Sequence, residues 1–289
     1  MTVNPDHLLN FPIPDVHHIL TKRDTVFYAL SVGLGQDPTD ERQLDFVDHH
    51  RKLKALPWLA LVLGYPGFWL GDPNTGVDAL RLVHGEQSLE VYGPLPVEGE
   101  LIGRTRVTGL VDKGPGRGAL LYSEKQLSDA ATGALLAITR STTFLRGDGG
   151  CGAPSGPIQA PHTMPQTPPD KVFDLPTRPE QALLYRLNGD DNPIHADPQR
   201  AARADFPRPI LHGLCTLGIT AHALLRECAD YDERRFRSLQ ARFTAPVLPG
   251  ETIRTEIWRD GSFRARVVER DVIVIDNGFA KFTAVGEVL

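Results

Sequence analysis

The second half of the chain changes its hydrophobic period once. From Gly213 to about Cys228 apolar residues recur at helical spacing with few polar interruptions, which predicts a deeply buried helix. From Phe236 onward apolar and polar residues alternate, and Asp260-Gly261 and Asn277-Gly278 supply turn signals between the alternating segments. The pattern predicts one buried helix followed by antiparallel strands.

Two shorter helices are expected before the buried one. Thr177 and Glu180 have the spacing of a capping box, and Gly189 supplies a C-terminal stop for the helix that they would begin. Asp197 precedes a proline and opens a second helix that runs through Ala204. The first of these helices is expected to bury one apolar face, formed by Leu183, Leu184 and Leu187.

The first half shows the same order of features, which indicates an internal duplication. A segment rich in Gly, Pro, Ser and Thr from Gly147 to Pro169 divides the chain. Each half is expected to contain helices, one buried helix and then a curved antiparallel sheet around it, an α+β layout. The expected boundaries are 1–146, a linker at 147–170 and 171–289. The apolar stretch Leu56 to Leu63 is expected in the core, and the strands of the first half are expected at Ser88 to Val91, Leu101 to Leu110, Gly118 to Ser128 and Leu135 to Phe144.

Composition narrows the class of protein. The chain has 289 residues, 41% hydrophobic and 23% charged, which is typical of a globular protein. A net charge of -5 argues against nucleic-acid binding, and no apolar run reaches the length of a membrane span. Three cysteines without paired spacing favour a reducing compartment. The C-terminal residues Gly286 to Leu289 do not form a peroxisomal signal, so a cytoplasmic location is expected, with a peroxisomal one as the alternative if the protein is eukaryotic.

Asp190, Asn192 and His195 are the densest group of acid-base chemistry in the chain. Pro193 restricts the backbone of Asn192, so the segment between Gly189 and Ala196 is expected to be a preformed bend. A carboxylate and an imidazole that share one water could exchange protons with it. Residues of these types beside Gly and Pro also form ordinary turns, and taken alone the segment would be a turn more often than a site.

The segment His212-Gly213 favours the interpretation of Asp190, Asn192 and His195 as part of an active site. A glycine at a helix N-terminus exposes unpaired N–H groups at the positive end of the helix dipole, so Gly213 is a candidate oxyanion donor. Close packing of the helix start would explain that glycine about equally well. His212 is interpreted as a buried, hydrogen-bonded residue.

Other patterns are weaker. The pairs His17-His18 and His49-His50 lack partners at metal-ligand spacing, so no metal site is expected. No Gly-x-Ser-x-Gly elbow is found, and Cys215 is interpreted as a core residue. The glycine-rich run that begins at Lys113 is expected to be a turn that lends a cation to a phosphate.

Two segments resemble the hydratase 2 motif of MaoC-like (R)-specific 2-enoyl-CoA hydratases. They are Tyr185 to His195, which reads YRLNGDDNPIH, and Pro209 to Thr216, which reads PILHGLCT. The resemblance extends to His84-Gly85-Glu86-Gln87, Asp112-Lys113-Gly114 and the segment from Ala241 to Thr252, covering nearly the whole chain. It is similar to the two-repeat form, which includes the hydratase part of the peroxisomal multifunctional enzyme, and implies a double hot dog fold.

The resemblance also implies roles for individual residues. Asp190 and His195 would activate water, Asn192 would support them, and the Gly213 N–H would receive the thioester oxygen. Only the second half carries the catalytic motif, so the first is implied to accommodate the acyl chain. Two residues depart from the family pattern: Asn188 replaces a small hydroxyl residue or glycine, and Asp191 replaces an apolar or aromatic residue. The residues expected along the acyl-CoA site are His84, Gly85, Lys113, Asp191 and Phe243.

The function expected from the resemblance is reversible hydration of a trans-2-enoyl-CoA to a (3R)-3-hydroxyacyl-CoA. No cofactor is expected, and the partners are an acyl-CoA thioester and a second copy of the chain in a homodimer. An acyl-CoA thioesterase is the alternative enzyme, because hot dog scaffolds host that chemistry as well. A non-catalytic acyl-CoA or steroid-CoA binding subunit is a third possibility, which the acid-base residues argue against.

Overall fold

The computed structural model describes residues 3–154, 156, 158 and 160–284. Six α-helices lie at α1 Pro5–Leu9, α2 Lys22–Ser31, α3 Glu41–Val47, α4 Gln181–Tyr185, α5 Pro198–Arg203 and α6 Gly213–Ala229. Ten strands lie at β1 Val16–Leu20, β2 Leu82–Val91, β3 Gly99–Asp112, β4 Ala119–Asp129, β5 Leu135–Leu145, β6 Lys171–Pro176, β7 Phe236–Phe243, β8 Thr252–Ile257, β9 Ser262–Val267 and β10 Val272–Phe282. Short 3₁₀ helices include Pro57–Leu61, Arg186–Asn188 and Pro193–His195.

All ten strands form one antiparallel sheet in the order β1-β3-β4-β5-β2-β7-β10-β9-β8-β6. Each half supplies five consecutive strands. From the outer edge of the sheet to its centre, the strands of each half follow the order first, third, fourth, fifth and second of that half. The halves meet where β2 pairs with β7, from Glu86 opposite Arg242 to Glu90 opposite Ser238. The predicted α+β architecture and the predicted strand series in both halves are confirmed, and the strand order repeats as a duplication requires.

The second half has the buried helix that its pattern predicts. α6 begins at Gly213 and runs for 17 residues, with twelve of them buried. It contacts β6, β7, β8 and β10 of its own half. The short helix after Asp197 is also confirmed, because the Asp197 carboxylate accepts from the backbone N–H of Gln199.

The prediction of a matching central helix in the first half is wrong for the described residues. The apolar stretch there is buried as expected, with Trp58 fully buried, but it forms only the 3₁₀ helix Pro57–Leu61. Lys125 of β4 reaches the end of this helix and donates to the carbonyls of Ala60 and Leu61, at 3.0 and 3.1 Å, and of Leu63. Burial lowers the pKa of Lys125 to about 7. The lysine satisfies carbonyls that a longer helix would have satisfied internally.

A close crossing of two glycines follows this short helix. Gly64 has a φ of +59° and lies against Gly103 of β3. A Cβ at Gly103 would lie 2.1 Å from the carbonyl oxygen of Gly64. Only a residue without a side chain fits at this crossing.

The predictions for α4 are partly wrong. The helix begins at Gln181, and Thr177 is no cap: its hydroxyl bonds the carbonyl of Glu251 and accepts from Gly250 N–H. Leu183 and Leu187 are 52% and 70% exposed, because Ala182 and Tyr185 face the core instead. The predicted stop is confirmed, since Gly189 has a φ of +107°.

The turn predicted at Asn277-Gly278 is also wrong, whereas Asp260-Gly261 does connect β8 to β9. Asn277 has a φ of +54° and forms an irregularity inside β10. Its side-chain amide donates to the carbonyl of His162, whose ring bonds Ser262 Oγ at 2.7 Å. This bulge anchors the segment between β5 and β6, whose described residues form neither helix nor strand.

No helix in the described residues is long and apolar enough to cross a membrane. Cys151, Cys215 and Cys228 are free thiols. The C-terminal residues used in the location prediction lie outside the described residues.

Candidate active site

The bend that carries Asp190, Asn192 and His195 is held by its own hydrogen bonds. Asn192 caps the 3₁₀ helix Pro193–His195, since its Oδ1 accepts from Ile194 N–H at 3.1 Å. The Asn192 N–H donates to Asp190 Oδ1 at 3.2 Å. The predicted preformed bend is confirmed, and Asn192 supports Asp190 through its backbone rather than its side chain.

His195 is buried, with a defined tautomer. Its Nδ1 lies 2.8 Å from the carbonyl oxygen of Ile210, which can only accept, so Nδ1 carries the proton. Burial lowers the pKa of His195, opposed by the Ile210 bond and by the Asp190 carboxylate. The ring is therefore neutral at pH 7, and Nε2 is the nitrogen available to accept a proton.

His212 lies directly against His195. The two ring centroids are 3.8 Å apart with the planes 26° from parallel. His212 Nε2 donates to the backbone carbonyl of Asp190 at 3.2 Å, and its Nδ1 is buried without a partner in the part of the chain that the structure describes. Burial, reinforced by His195, lowers the pKa of His212 to about 4. The prediction that His212 is buried and hydrogen-bonded is confirmed. The sequence did not predict its contacts with His195 and with the Asp190 carbonyl.

Gly213 begins α6 immediately after His212. The helix start has no side-chain cap, so its first N–H groups have no acceptor within the helix. A Cβ on Gly213 would lie 3.4 to 3.6 Å from the ring of Phe243. The glycine thus leaves a narrow approach to its backbone between the helix start and Phe243.

The first half contributes His84 and Gly85 from β2. The His84 ring lies 4.9 Å from that of Phe243, so these two predicted residues meet across the junction between the halves. Gly85 occupies a shift in the pairing of β2 with β5, between His84 and Glu86. Burial lowers the pKa of His84, and the charge of Asp190 acts in the opposite direction. His84 Nε2 is buried and has no hydrogen-bond partner within residues 3–154, 156, 158 and 160–284.

Lys113 and Asp191 are not brought into this group. The Lys113 ammonium lies over the ring of Phe144, 5.1 Å from its centroid, in the β3–β4 connection. The Asp191 side chain is 85% exposed and pairs with Arg186 at 3.2 Å. The unusual Asn188 is a structural link, because its amide donates to Ser31 Oγ at 3.0 Å.

Tyr65 is a neighbour that sequence reasoning missed. Desolvation and the charge of Asp190 raise its pKa to about 12, so it stays a protonated phenol. It follows the Gly64 crossing in the first half and has no motif of its own. Only the folding of one half against the other could have revealed it.

A metal ion could use the same convergence. Asp190, His195 and His212 offer ligand atoms within 4.8 Å of one another. His195 Nδ1 and His212 Nε2 are already bonded to backbone carbonyls, so one nitrogen of each ring remains. The arrangement is equally suited to hold a water molecule between a carboxylate and an imidazole.

Comparisons with known proteins show the family of the chain. Residues 18–147 match the MFE-2 hydratase 2 N-terminal domain, and residues 161–278 match the MaoC like domain. The chain is 38% identical to the peroxisomal enoyl-CoA hydratase 2 of Arabidopsis thaliana over 290 residues, covering 94% of this chain and 93% of the relative. It is also 38% identical to 3-hydroxyacyl-thioester dehydratase Y of Mycobacterium tuberculosis over 276 residues, covering 91% and 93%.

Solved structures give the same result. A MaoC-like dehydratase from Phytophthora capsici superposes with a TM-score of 0.85 and 31% identity, covering 98% of this chain and 99% of the other. A Mycobacterium tuberculosis protein described as a double hot dog matches in fold, with a TM-score of 0.56 and 18% identity over 94% of each chain. The double hot dog implied by the resemblance is confirmed, and the chain belongs to the hydratase 2 family of MaoC-like enoyl-CoA hydratases.

Proposed function

We propose that this protein catalyses the reversible syn hydration of a trans-2-enoyl-CoA to a (3R)-3-hydroxyacyl-CoA, with Asp190 and His195 as the proton carriers. The observation that carries the proposal is the convergence of three groups. A carboxylate oxygen of Asp190 lies within 4.8 Å of a ring nitrogen of His195, and the uncapped N–H groups of α6 begin one residue after His212. Family membership supports the same reaction.

The chemistry follows from these positions. The water oxygen bonds to the β-carbon while Asp190 and His195 take one of its protons and deliver a proton to the α-carbon. Negative charge develops on the thioester oxygen, where the Gly213 N–H at the positive end of α6 stabilises it. Both additions occur from the side of the acid-base pair, which gives a syn product. The reverse steps give dehydration.

Replacing either proton carrier tests the proposal. Asp190→Asn and His195→Gln keep the size of each side chain but remove its acid-base function. We expect each to lower the rate of crotonyl-CoA hydration by about 10² to 10⁴, the usual scale for a positioned acid-base group. The measurement is the loss of enoyl absorbance with purified protein.

Matched surface variants provide the control. Asp37→Asn and His50→Gln make the same chemical changes at exposed positions in the first half, distant in sequence from Asp190 and His195. Both variants should keep wild-type rates. Unchanged hydration in both site variants, with wild-type folding, would refute the assignment. Release of free thiol faster than loss of enoyl absorbance would favour a thioesterase instead.

The two halves have different proposed roles. Residues 171–289 carry the chemistry, and residues 1–146 accommodate the acyl chain, with 147–170 as linker. The short 3₁₀ helix Pro57–Leu61 supports this division, because it fills less of the first half than α6 fills of the second. His84 and Gly85 would line the acyl-CoA path beside Phe243, and Lys113 would contact a phosphate further out. Rates across enoyl-CoA chain lengths, with chiral analysis of the product, test this proposal.

The proposed function extends to how the protein assembles and where in the cell it acts. A homodimer is proposed, which sedimentation of the purified protein would test. Three free thiols support a reducing, cytoplasmic location, and cell fractionation would test it. Hydration transfers no electrons, so the proposed reaction requires no redox cofactor.

A further inference from the structure

His212 occupies a position that its packing alone does not explain. Its side chain is buried, and its Nδ1 has no hydrogen-bond partner among the described residues. A buried unpaired nitrogen destabilises a protein, whereas an apolar ring of similar size would fill the same space without that cost. An unpaired group that persists beside catalytic residues indicates a functional reason.

The ring connects the two parts of the site. Its Nε2 bonds to the backbone carbonyl of Asp190, while its own backbone carbonyl accepts from Thr216 N–H in the first turn of α6. The next residue is Gly213, the proposed oxyanion donor. One residue therefore links the segment of the proposed proton carriers to the start of α6, where the proposed oxyanion donor lies.

The ring also restricts His195. Stacking at 3.8 Å leaves the His195 ring a narrow range of orientations, and the Nδ1 bond to Ile210 fixes the rest. The His212 ring also lies 5.1 Å from that of Tyr185, in the core, with the two planes 48° apart. His212 thus contacts both a core aromatic ring and the imidazole of His195.

We infer that His212 is a positioning residue for the hydration reaction, which holds the Asp190 bend and the His195 ring in register with the N-terminus of α6. The inference rests on the proposed function, since it assigns His212 an action through those two proton carriers. It differs from a structural role because its effect should fall on the chemical step and should depend on His195.

Two variants separate the two contacts of the ring. His212→Phe keeps a stacking ring and loses the bond to the Asp190 carbonyl, whereas His212→Gln keeps a donor and loses the stacking. We expect each to lower kcat for crotonyl-CoA by about 10- to 100-fold with KM changed less than about threefold, because the substrate contacts remain.

A double-mutant cycle with His195→Gln supplies the decisive readout. If His212 acts on His195 through stacking, then His212→Gln, which loses that stacking, should lower the residual rate of the His195→Gln protein by less than about threefold. The same fold-loss in both backgrounds would overturn the inference, as would full kcat in both single variants. A loss that merely matches the fraction of unfolded protein, measured by circular dichroism, would also overturn it.

The tautomer of His195 gives a readout that does not need activity. Nitrogen-15 NMR of the wild-type protein should show His195 protonated at Nδ1, and His212→Gln, which loses the stacking that orients the ring, should show a mixture of tautomers. A failure of hydration in the wild type with this NMR change present would contradict the proposed function and leave the positioning role standing. An unchanged His195 spectrum in His212→Gln would contradict the positioning role.

Discussion

The two halves of the sheet share one strand order but differ in what lies against it. The second half packs the 17-residue α6, whereas the first packs the five-residue 3₁₀ helix Pro57–Leu61. In place of a long helix, the first half has two other contacts. Lys125 binds the carbonyls at the end of the short helix, and Gly64 packs directly on Gly103. A repeated sheet can therefore lose its long helix when another group satisfies the exposed backbone.

Glycine also serves different purposes in the two halves. Gly103 in the first half permits a backbone crossing that nothing larger allows, whereas Gly213 in the second leaves van der Waals room beside Phe243. The first glycine is required for folding. The second is expected to matter for substrate approach.

The largest expected effect is on folding of the first half. Gly103→Ala places a methyl 2.1 Å from the Gly64 carbonyl oxygen, so we expect it to lower the free energy of unfolding by about 3 kcal/mol or more. Urea denaturation measures the loss. Gly93→Ala, whose methyl would meet only Leu136 at 3.9 Å, is the control. Equal stability of the two variants would contradict the tight crossing.

Lys125→Met tests whether the lysine stabilises the first half by binding the carbonyls at the end of the short helix. The variant keeps the length of the side chain but leaves buried carbonyls unpaired, so we expect a loss of about 3 kcal/mol in unfolding free energy. Lys281→Met, at an exposed position, is the matched control and should change stability little. A Lys125→Met protein as stable as the wild type would show that water satisfies those carbonyls.

Acid should weaken the second half through its buried histidines. The pKa values of His212 and His222 are lowered by burial to about 4, from 6.5. Between pH 6.5 and 4 the unfolded chain binds more protons than the folded one, so stability is full above 6.5 and falls as the pH drops. Each shift corresponds to about 3 kcal/mol once the pH is below 4.

Hydrogen exchange at pH 7 and pH 5 measures this effect by region. The amides of α6 should lose more protection than those of β3 and β4. His222→Phe should flatten the pH dependence of the unfolding free energy, whatever its stability at pH 7. A slope identical to that of the wild type would show that His222 does not contribute.

Gly213→Ala should affect catalysis with little effect on folding. Its methyl would lie 3.4 Å from the Phe243 ring, which the fold tolerates, but it occupies the approach to the backbone N–H. We expect kcat/KM for crotonyl-CoA to fall about 10- to 100-fold at wild-type stability. An unchanged kcat/KM would indicate that Gly213 serves only the packing of the helix start.

The smallest effect is expected at Asp191. Its side chain is 85% exposed and, among the described residues, pairs only with Arg186, so Asp191→Asn should change the unfolding free energy by less than about 0.5 kcal/mol. KM for crotonyl-CoA should change less than about twofold. A large rise in KM would restore the prediction that Asp191 contacts substrate.

Local patterns in the sequence determined much of this protein. Alternation identified the strands of both halves, and helical spacing identified α6. These two predictions succeeded because each depends on neighbouring residues along the chain, whose period is set by the backbone itself. The motif predicted Asp190, Asn192 and His195 as the site, and their roles stay a prediction.

The tertiary structure decided the rest. It replaced the long helix expected in the first half by a short 3₁₀ helix whose carbonyls bind Lys125. It also left Leu183 and Leu187 exposed to solvent, and it placed Asn277 in a bulge of β10 instead of a turn. It also brought His84 and Tyr65 near Asp190, and stacked His212 on His195. These contacts join residues distant in sequence, and their geometry depends on how the two halves pack, which no local period records.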